Sequence, residues 1–318
     1  MTATDPNARI VVTLKAKQRL GDVIFSRASR ISGIIILVIL AAVAVFLTAQ
    51  SIPVFFADPA DLIGSPESLF EYVWPLVFGT LWSATLALLL ALPLAVGIAL
   101  FISHYAPRRL AQILGYVVDL LAAVPSVVFG LWGIGVLAPA VLPAFRWLTD
   151  NLGWIPLFAG PVSGTGRTIL TAGIVLGVMI LPVMTAICRE IFIQTPVLHE
   201  EAALALGATR WEMITMAVLP FGRPGIISGA MLGLGRALGE TMAVAMVLSA
   251  TGIVTLNLVS SSNPSTIAAN IALSFPEAYG VNVNLLIATG LILFIITLIV
   301  NSIARYIVNR RKDFSGAN

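Results

Sequence analysis

Charge is scarce in this chain: only 10% of its 318 residues are Asp, Glu, Lys or Arg, against roughly 25% in an ordinary soluble domain. So few charges cannot solvate the surface of a soluble fold in which 58% of residues are hydrophobic. Cysteine is nearly absent as well. The lone Cys188 excludes a disulfide framework and any multi-cysteine metal site, and the two histidines, His104 and His199, are too far apart for a zinc motif. No Walker sequence is present. Gly160-Pro-Val-Ser-Gly-Thr-Gly166 lacks the Gly-Lys-Ser/Thr ending of a phosphate-cradling loop. No nucleophile, base and orienting group recur on facing segments, which argues against an intramembrane enzyme.

What the chain does have is long apolar runs. Crossing roughly 30 Å of hydrocarbon takes about 20 helical residues. Runs of that order lie at Ile31 to Ala49, Val73 to Ile102, Ile113 to Leu137, Ile169 to Cys188, Ala217 to Ala250 and Leu285 to Ile307. The expected fold is therefore all-α and integral to a membrane, with six spans over residues 31–308, a basic tail at 1–30 and a short tail at 309–318. The tail before the first run is too long for the n-region of a cleaved signal, so that run is read as a retained span. Pro93, Pro125 and Pro182 are natural kink sites.

Lys and Arg are distributed unevenly between alternate loops. The N-terminal tail carries Arg9, Lys15, Lys17, Arg19, Arg27 and Arg30, and Arg108, Arg109, Arg189, Arg210, Arg223, Arg305, Arg310, Arg311 and Lys312 fall on the same side. The opposite side has only Arg146 and Arg167, while Trp147 and Trp154 suit an interfacial belt there. By the positive-inside rule both termini face the cytoplasm. The basic residues flank apolar spans and form no single patch, so nucleic acid is not an expected partner and membrane lipid is. The polar Ser260-Ser-Ser-Asn-Pro-Ser265, in the last outer loop, reads as a turn.

Two segments stand out chemically. Thr195-Pro-Val-Leu-His-Glu-Glu-Ala-Ala-Leu-Ala-Leu-Gly207 is a short amphipathic helix, with Thr195 as cap, Pro196 in first position, acids early and Gly207 at the stop. The second is Gly233-Leu-Gly-Arg-Ala-Leu-Gly-Glu-Thr-Met242. A charge at mid-span costs on the order of 2.5 to 3.5 kcal/mol on insertion scales, so Arg236 and Glu240 need each other, a protein partner or a watery cavity. On a continuous helix Gly222, Gly225, Gly229, Gly233, Arg236 and Glu240 share an arc of about 80°. Gly225, Gly229 and Gly233 have the spacing that permits close helix approach, so another helix or another subunit is expected on that face. Arg236 presents a fixed fork of donors suited to an oxyanion. Glu240 would moderate that attraction and accept a hydrogen bond from a protonated oxygen of the anion. Asp119, two turns into the third run, is either structural, snorkelling to the interface, or a gating or partner-bonding group. Cys188, Trp82, Met231, Met242 and Met246 read as packing residues.

Glu201-Ala-Ala, Gly207 and the later Leu219-Pro220 resemble the cytoplasmic loop of permeases in ATP-binding-cassette importers, with Ala217 where isoleucine is usual. Gly235-Arg-Ala-Leu-Gly-Glu-Thr-Met-Ala243 is similar to the signature of the PstC-type subunit of bacterial phosphate importers. Pro75 to Gly97, Ala106-Pro-Arg-Arg-Leu110, Leu121-Ala-Ala-Val-Pro-Ser126 with Gly130-Leu-Trp-Gly133, Leu170-Thr-Ala-Gly-Ile174 and Ile267-Ala-Ala-Asn270 also resemble that family, from about residue 20 to 308. The resemblance implies a type I ABC importer permease fold in the bacterial cytoplasmic membrane. It implies Arg236, Glu240 and Thr241 on the substrate path, and Glu200, Glu201, Ala202, Ala203 and Gly207 in the coupling element, within about 196–207. The implied partners are a PstA-like second permease, a dimeric ABC ATPase and an extracytoplasmic phosphate-binding protein. This chain would be non-catalytic and hold no cofactor; ATP and Mg would sit on the ATPase. Sulfate, molybdate or phosphonate are alternative cargoes, and a proton-coupled secondary transporter using Glu240 or Asp119 is the rival mechanism.

Overall fold

A computed structural model describes residues 20–64 and 66–309. The tail positions 1–19 and 310–318, including Arg9, Lys15, Lys17, Arg19, Arg310, Arg311 and Lys312, lie outside the described residues. Among the described residues everything regular is helical, apart from one isolated bridge between Ala250 and Asn263. Six helical segments are long and apolar enough to cross a bilayer: Gly21–Phe56, Leu69–Tyr105, Ser126–Leu152, Ile169–Ile193, Arg210–Leu238 and Val281–Ile307.

The chain divides into two units, at Ala49 and Gln50. The described residues of the first belong to one helix, α1 (Leu20–Ser51). From Ile31 to Phe46 it is apolar on every face, the composition of a helix surrounded by hydrocarbon.

The second unit is built around α6 (Ile169–Ile193), which packs lengthwise against α2 (Leu69–Leu100) and α9 (Leu219–Leu238). Small residues on α2 make this contact close. Ala84, Ala87, Ala91 and Ala95 are buried along one stripe, facing Ala172, Leu176, Met179 and Ile180 of α6 in the same core. Packing of this kind holds membrane helices together where apolar burial alone gives no advantage over lipid. Pro75 and Pro93 lie inside α2 and Pro182 inside α6. The last helix, α12 (Val281–Asn309), packs against α9.

The third span differs from the expectation. Ile113 to Leu137 is not one helix: α3 (Arg108–Ala122) ends at Ala123, and Pro125 caps a new start at α4 (Ser126–Trp132). A proline disfavours helical backbone in the residue before it, so the apolar run is cut there. Helix α3 exposes Ile113, Tyr116, Val117, Leu120 and Leu121 and buries only Gly115 and Val118, as an amphipathic helix in the membrane interface would. The true third span continues from α4 through a wide π turn at Gly133–Leu137 into α5 (Ala138–Leu152), which carries Arg146 and Trp147 inside it.

The fifth span is also shorter than its apolar run. It begins with α8 (Arg210–Met213), passes a π turn at Ile214–Val218 into α9, and stops at Leu238. A separate short helix, α10 (Met242–Val247), follows, and the chain then runs irregularly to α11 (Ile267–Ser274). Helix α7 (Val197–Ala205) lies between the fourth and fifth spans and connects them.

Candidate functional site

Arg236 occupies the last turn of α9, where a cation is favourably placed against the free carbonyls of the helix end. Gly239 leaves helical geometry at φ −95°, ψ 2°, and this break separates the two charges. Of the alternatives the sequence leaves open for these two charges, mutual pairing is not the one adopted: no hydrogen bond or ion pair joins Arg236 to Glu240. Glu240 turns back instead. Its Oε1 accepts from the backbone N–H of Ala243 at 3.0 Å, fastening the start of α10, and the residue is buried at 9% exposure. Thr241 is half-buried and its hydroxyl donates to Gly239 O at 3.3 Å. Arg236 opens onto a cavity of about 720 Å³ shared by α6, α9 and α12. Among the described residues its guanidinium has no hydrogen-bond or ion-pair partner.

Helix α10 is wedged in place by glycines of the third span. A Cβ on Gly130 would stand 3.0 Å from Ala243 Cα, and one on Gly133 would stand 2.7 Å from both Val175 and Val247 Cγ2. The charged break is thus rigidly framed on the side of Glu240 and open on the side of Arg236.

The glycine stripe is covered, and by this same chain. Cβ atoms built on Gly222, Gly225 and Gly233 would come within 2.8 Å of Phe192, Ile191 and Met184 of α6, and Gly229 sits over Ile187 and Cys188. Of the two neighbours allowed by spacing, α6 takes the face of Gly225, Gly229 and Gly233. The seam expected there for a second permease is filled, and that contact is corrected to an intrachain one.

The loop helix α7 starts one residue later than expected. Pro196 stands outside its first turn as cap residue without a side-chain bond, and Thr195 is buried with an unpartnered hydroxyl, so it does not cap. Gly207 ends the segment at φ +87°, a left-handed conformation that favours glycine. Ala203 is buried in a cluster with Leu100, Cys188, Phe192, Met213 and Ile214. That cluster joins α7 to the ends of the second, fourth and fifth spans. Glu200 also points inward: its Oε1 meets His104 Nε2 at 3.3 Å, and His104 Nδ1 meets Ser103 Oγ at 2.7 Å, both on the wide π turn that ends the second span. Sequence reasoning left His104 without a role, because its partner is ninety-six positions away. Glu201 and Ala202 face outward beside Leu198 and Leu206, which are 77% and 87% exposed.

Asp119 is not inside a span. It lies exposed on α3, its carboxylate 3.8 Å from Arg189 Nη2 of α6, and Gly115 supplies the room for that arginine, since a Cβ would meet Nη1. An exposed pair at this distance contributes little.

Compared with known proteins, residues 91–313 match the family described as binding-protein-dependent transport system inner membrane component. The phosphate transport system permease protein PstC 2 of Mycobacterium tuberculosis is 46% identical over 317 residues, covering 96% of this chain and 97% of that protein. The chain belongs to the PstC-type permease family. The PstC permease of Mesorhizobium japonicum is 38% identical over 309 residues, covering 94% of this chain and 93% of its own. Among solved structures, an inward-facing MetNI methionine ABC transporter matches with a TM-score of 0.52 at 17% identity, covering 76% of this chain and 95% of that one. A bacterial ABC transporter involved in import of the acidic polysaccharide alginate matches with a TM-score of 0.51 at 17% identity, over 91% and 99%. At that identity the likeness shows the fold alone, and the fold is that of type I ABC importer permeases. The six apolar helices and the family together make this a multi-pass membrane protein.

Proposed function

We propose that this chain is the PstC-type permease subunit of an ATP-driven importer and carries inorganic phosphate across the bacterial cytoplasmic membrane, with both termini cytoplasmic. The observation that carries the reading is an unpartnered arginine at a helix break, in a chain whose relatives along nearly their whole length are phosphate transport permeases. A guanidinium stays charged where a lysine could lose its proton, and its fork fits two oxygens of a tetrahedral anion. Glu240, held back on Ala243 and outside the cavity that Arg236 lines, leaves that arginine unneutralised and meets the anion only as it passes the break at Gly239. Its free carboxylate oxygen can accept from a protonated phosphate oxygen, which sulfate lacks. Replacing it should erode that discrimination. A Glu240→Gln importer is expected to lose most of its preference for phosphate over sulfate, read by competition in uptake of labelled phosphate; an unchanged preference rejects this role.

Entry of an anion into a cell negative inside is opposed by roughly 2.3 kcal/mol per charge per 100 mV, so accumulation needs an energy source. We assign it to a partner dimeric ABC ATPase that holds ATP and Mg. A PstA-like permease would enclose the path, and an extracytoplasmic phosphate-binding protein would deliver the anion. The surface offered to the ATPase is the outward side of α7, with Glu201, Ala202, Leu198 and Leu206, and Gly207 at its end. Movement of α7 is passed on through Ala203 and the Glu200–His104 contact to three spans together. Because Leu206 is almost fully exposed, Leu206→Asp should leave the permease folded. It should lower uptake by about tenfold or more, the loss expected when about 1.4 kcal/mol or more is removed from a docking contact. ATP hydrolysis and phosphate uptake measured on the same vesicles check this, and undiminished uptake would remove α7 as the coupling element.

A further inference from the structure

The cavity that receives Arg236 contains a second guanidinium. Arg305, near the end of α12, lines it together with Asn301, one helical turn earlier, and with Ser228 and Gly235 of α9. Among the described residues no acidic side chain lines this space. Among the described residues neither arginine has a hydrogen-bond or ion-pair partner, and Arg305 is exposed to the cavity mouth. Gly235 has nothing within 4 Å of where a Cβ would stand, so the wall is open beside Arg236. Two like charges directed into one space among apolar helices repel unless something negative lies between them, and the amide of Asn301 adds a neutral donor.

We propose that Arg305 and Asn301, with Arg236, form a phosphoryl-oxyanion site between the fifth and sixth spans. Two guanidinium forks match the double negative charge and tetrahedral oxygens of a phosphate dianion. The volume of about 720 Å³ admits the anion with water around it, or the phosphodiester headgroup of an anionic lipid entering from the side. The inference rests on the phosphate-permease reading for Arg236 and adds a second cation from the sixth span.

The test uses the assembled importer in nanodiscs, with Ser228→Cys as a reporter in the cavity wall. The native Cys188 is fully buried and does not compete for a water-soluble maleimide. In phosphatidylcholine discs, inorganic phosphate at about ten times its half-saturating level should slow labelling roughly tenfold by mass action. Added Arg305→Gln should abolish this protection, and Arg305→Lys should restore part of it. Protection by phosphate in phosphatidylcholine identifies the free anion as occupant. Protection by phosphatidylglycerol discs without phosphate, again lost in Arg305→Gln, identifies the lipid headgroup. No protection in either disc, or protection unaffected by Arg305→Gln, overturns the site. Uptake by the same complex in energised vesicles separates the two levels: intact phosphate uptake with no protection refutes the two-arginine site alone, whereas absent phosphate uptake refutes the permease reading beneath it.

Discussion

Phosphate accumulation by an importer carrying Arg236→Leu is expected to fall about 10- to 100-fold, the consequence of losing a hydrogen-bonded charge worth about 1.5 to 3 kcal/mol. The geometry makes this a clean substitution. Arg236 bonds no other described side chain and lines open space with Ser228 and Gly235, so leucine there leaves α9 and its packing on α6 undisturbed. Arg236→Lys keeps the charge without the fork and should fall between leucine and the native residue. Uptake of radiolabelled phosphate by cells that depend on this importer, normalised to the amount of permease in the membrane, measures both. Native uptake by the leucine variant would remove Arg236 from the path.

An effect of similar size, but on folding, is expected at Asn263. This residue is fully buried beneath the irregular stretch after α10. Its Oδ1 accepts from Ile169 N–H at 3.0 Å, at the first residue of α6, and its amide donates to Ser249 O at 3.1 Å and Ser260 O at 3.2 Å. Its own carbonyl accepts from Thr251 N–H at 2.8 Å. One side chain thus joins two stretches of the loop, at Ser249 and Ser260, to the head of the central helix. The close approach of Gly79 to Ser265 O, where a Cβ would clash, sets the same loop against α2. Asn263→Leu would leave a buried N–H and several carbonyls unpaired, each costing about 1 to 3 kcal/mol. The expected result is a several-fold lower amount of permease in the membrane at equal message, and a lower melting temperature in detergent. Equal amount and melting temperature would show that the loop holds itself without this side chain.

Much of the architecture was written in hydropathy, and its errors have specific causes. Spans two, four and six emerge close to their apolar runs because each run ends where charge or a loop residue begins. The third run hid a change of direction. Ile113 to Leu121 is apolar enough to join the run after Pro125, yet only one side of α3 is apolar, and Arg108, Arg109 and Asp119 hold its other side at the interface. Averaging over the run conceals that one-sidedness. The fifth run failed differently: Ala217 to Ala250 is apolar past Leu238, and only Gly239 signals the break. Helix continued across that glycine would bring Arg236 and Glu240 within pairing reach, so the sequence leaves their pairing open.

The glycine stripe was legible as a close-packing face, since period and residue size are local properties, but its neighbour was not. Ile191 and Met184 are about forty positions away, and no local pattern names them. The same limit applies to Glu200. Its sequence neighbours Glu201 and Ala202 share an outward role, while Glu200 itself bonds His104 across the chain. Ser260 to Ser265 reads as a polar turn, but its Asn263 side chain bonds backbone at Ile169 and Ser249, which sequence alone leaves unplaced.

The most direct measurement of the central claim is phosphate uptake by proteoliposomes containing the assembled importer, with its binding protein outside and ATP held constant inside. Accumulation is expected to require hydrolysable ATP, to be stopped by vanadate and to be unaffected by a proton uncoupler. Accumulation that collapses with the uncoupler while ATP stays constant, or that proceeds without ATP, would contradict it.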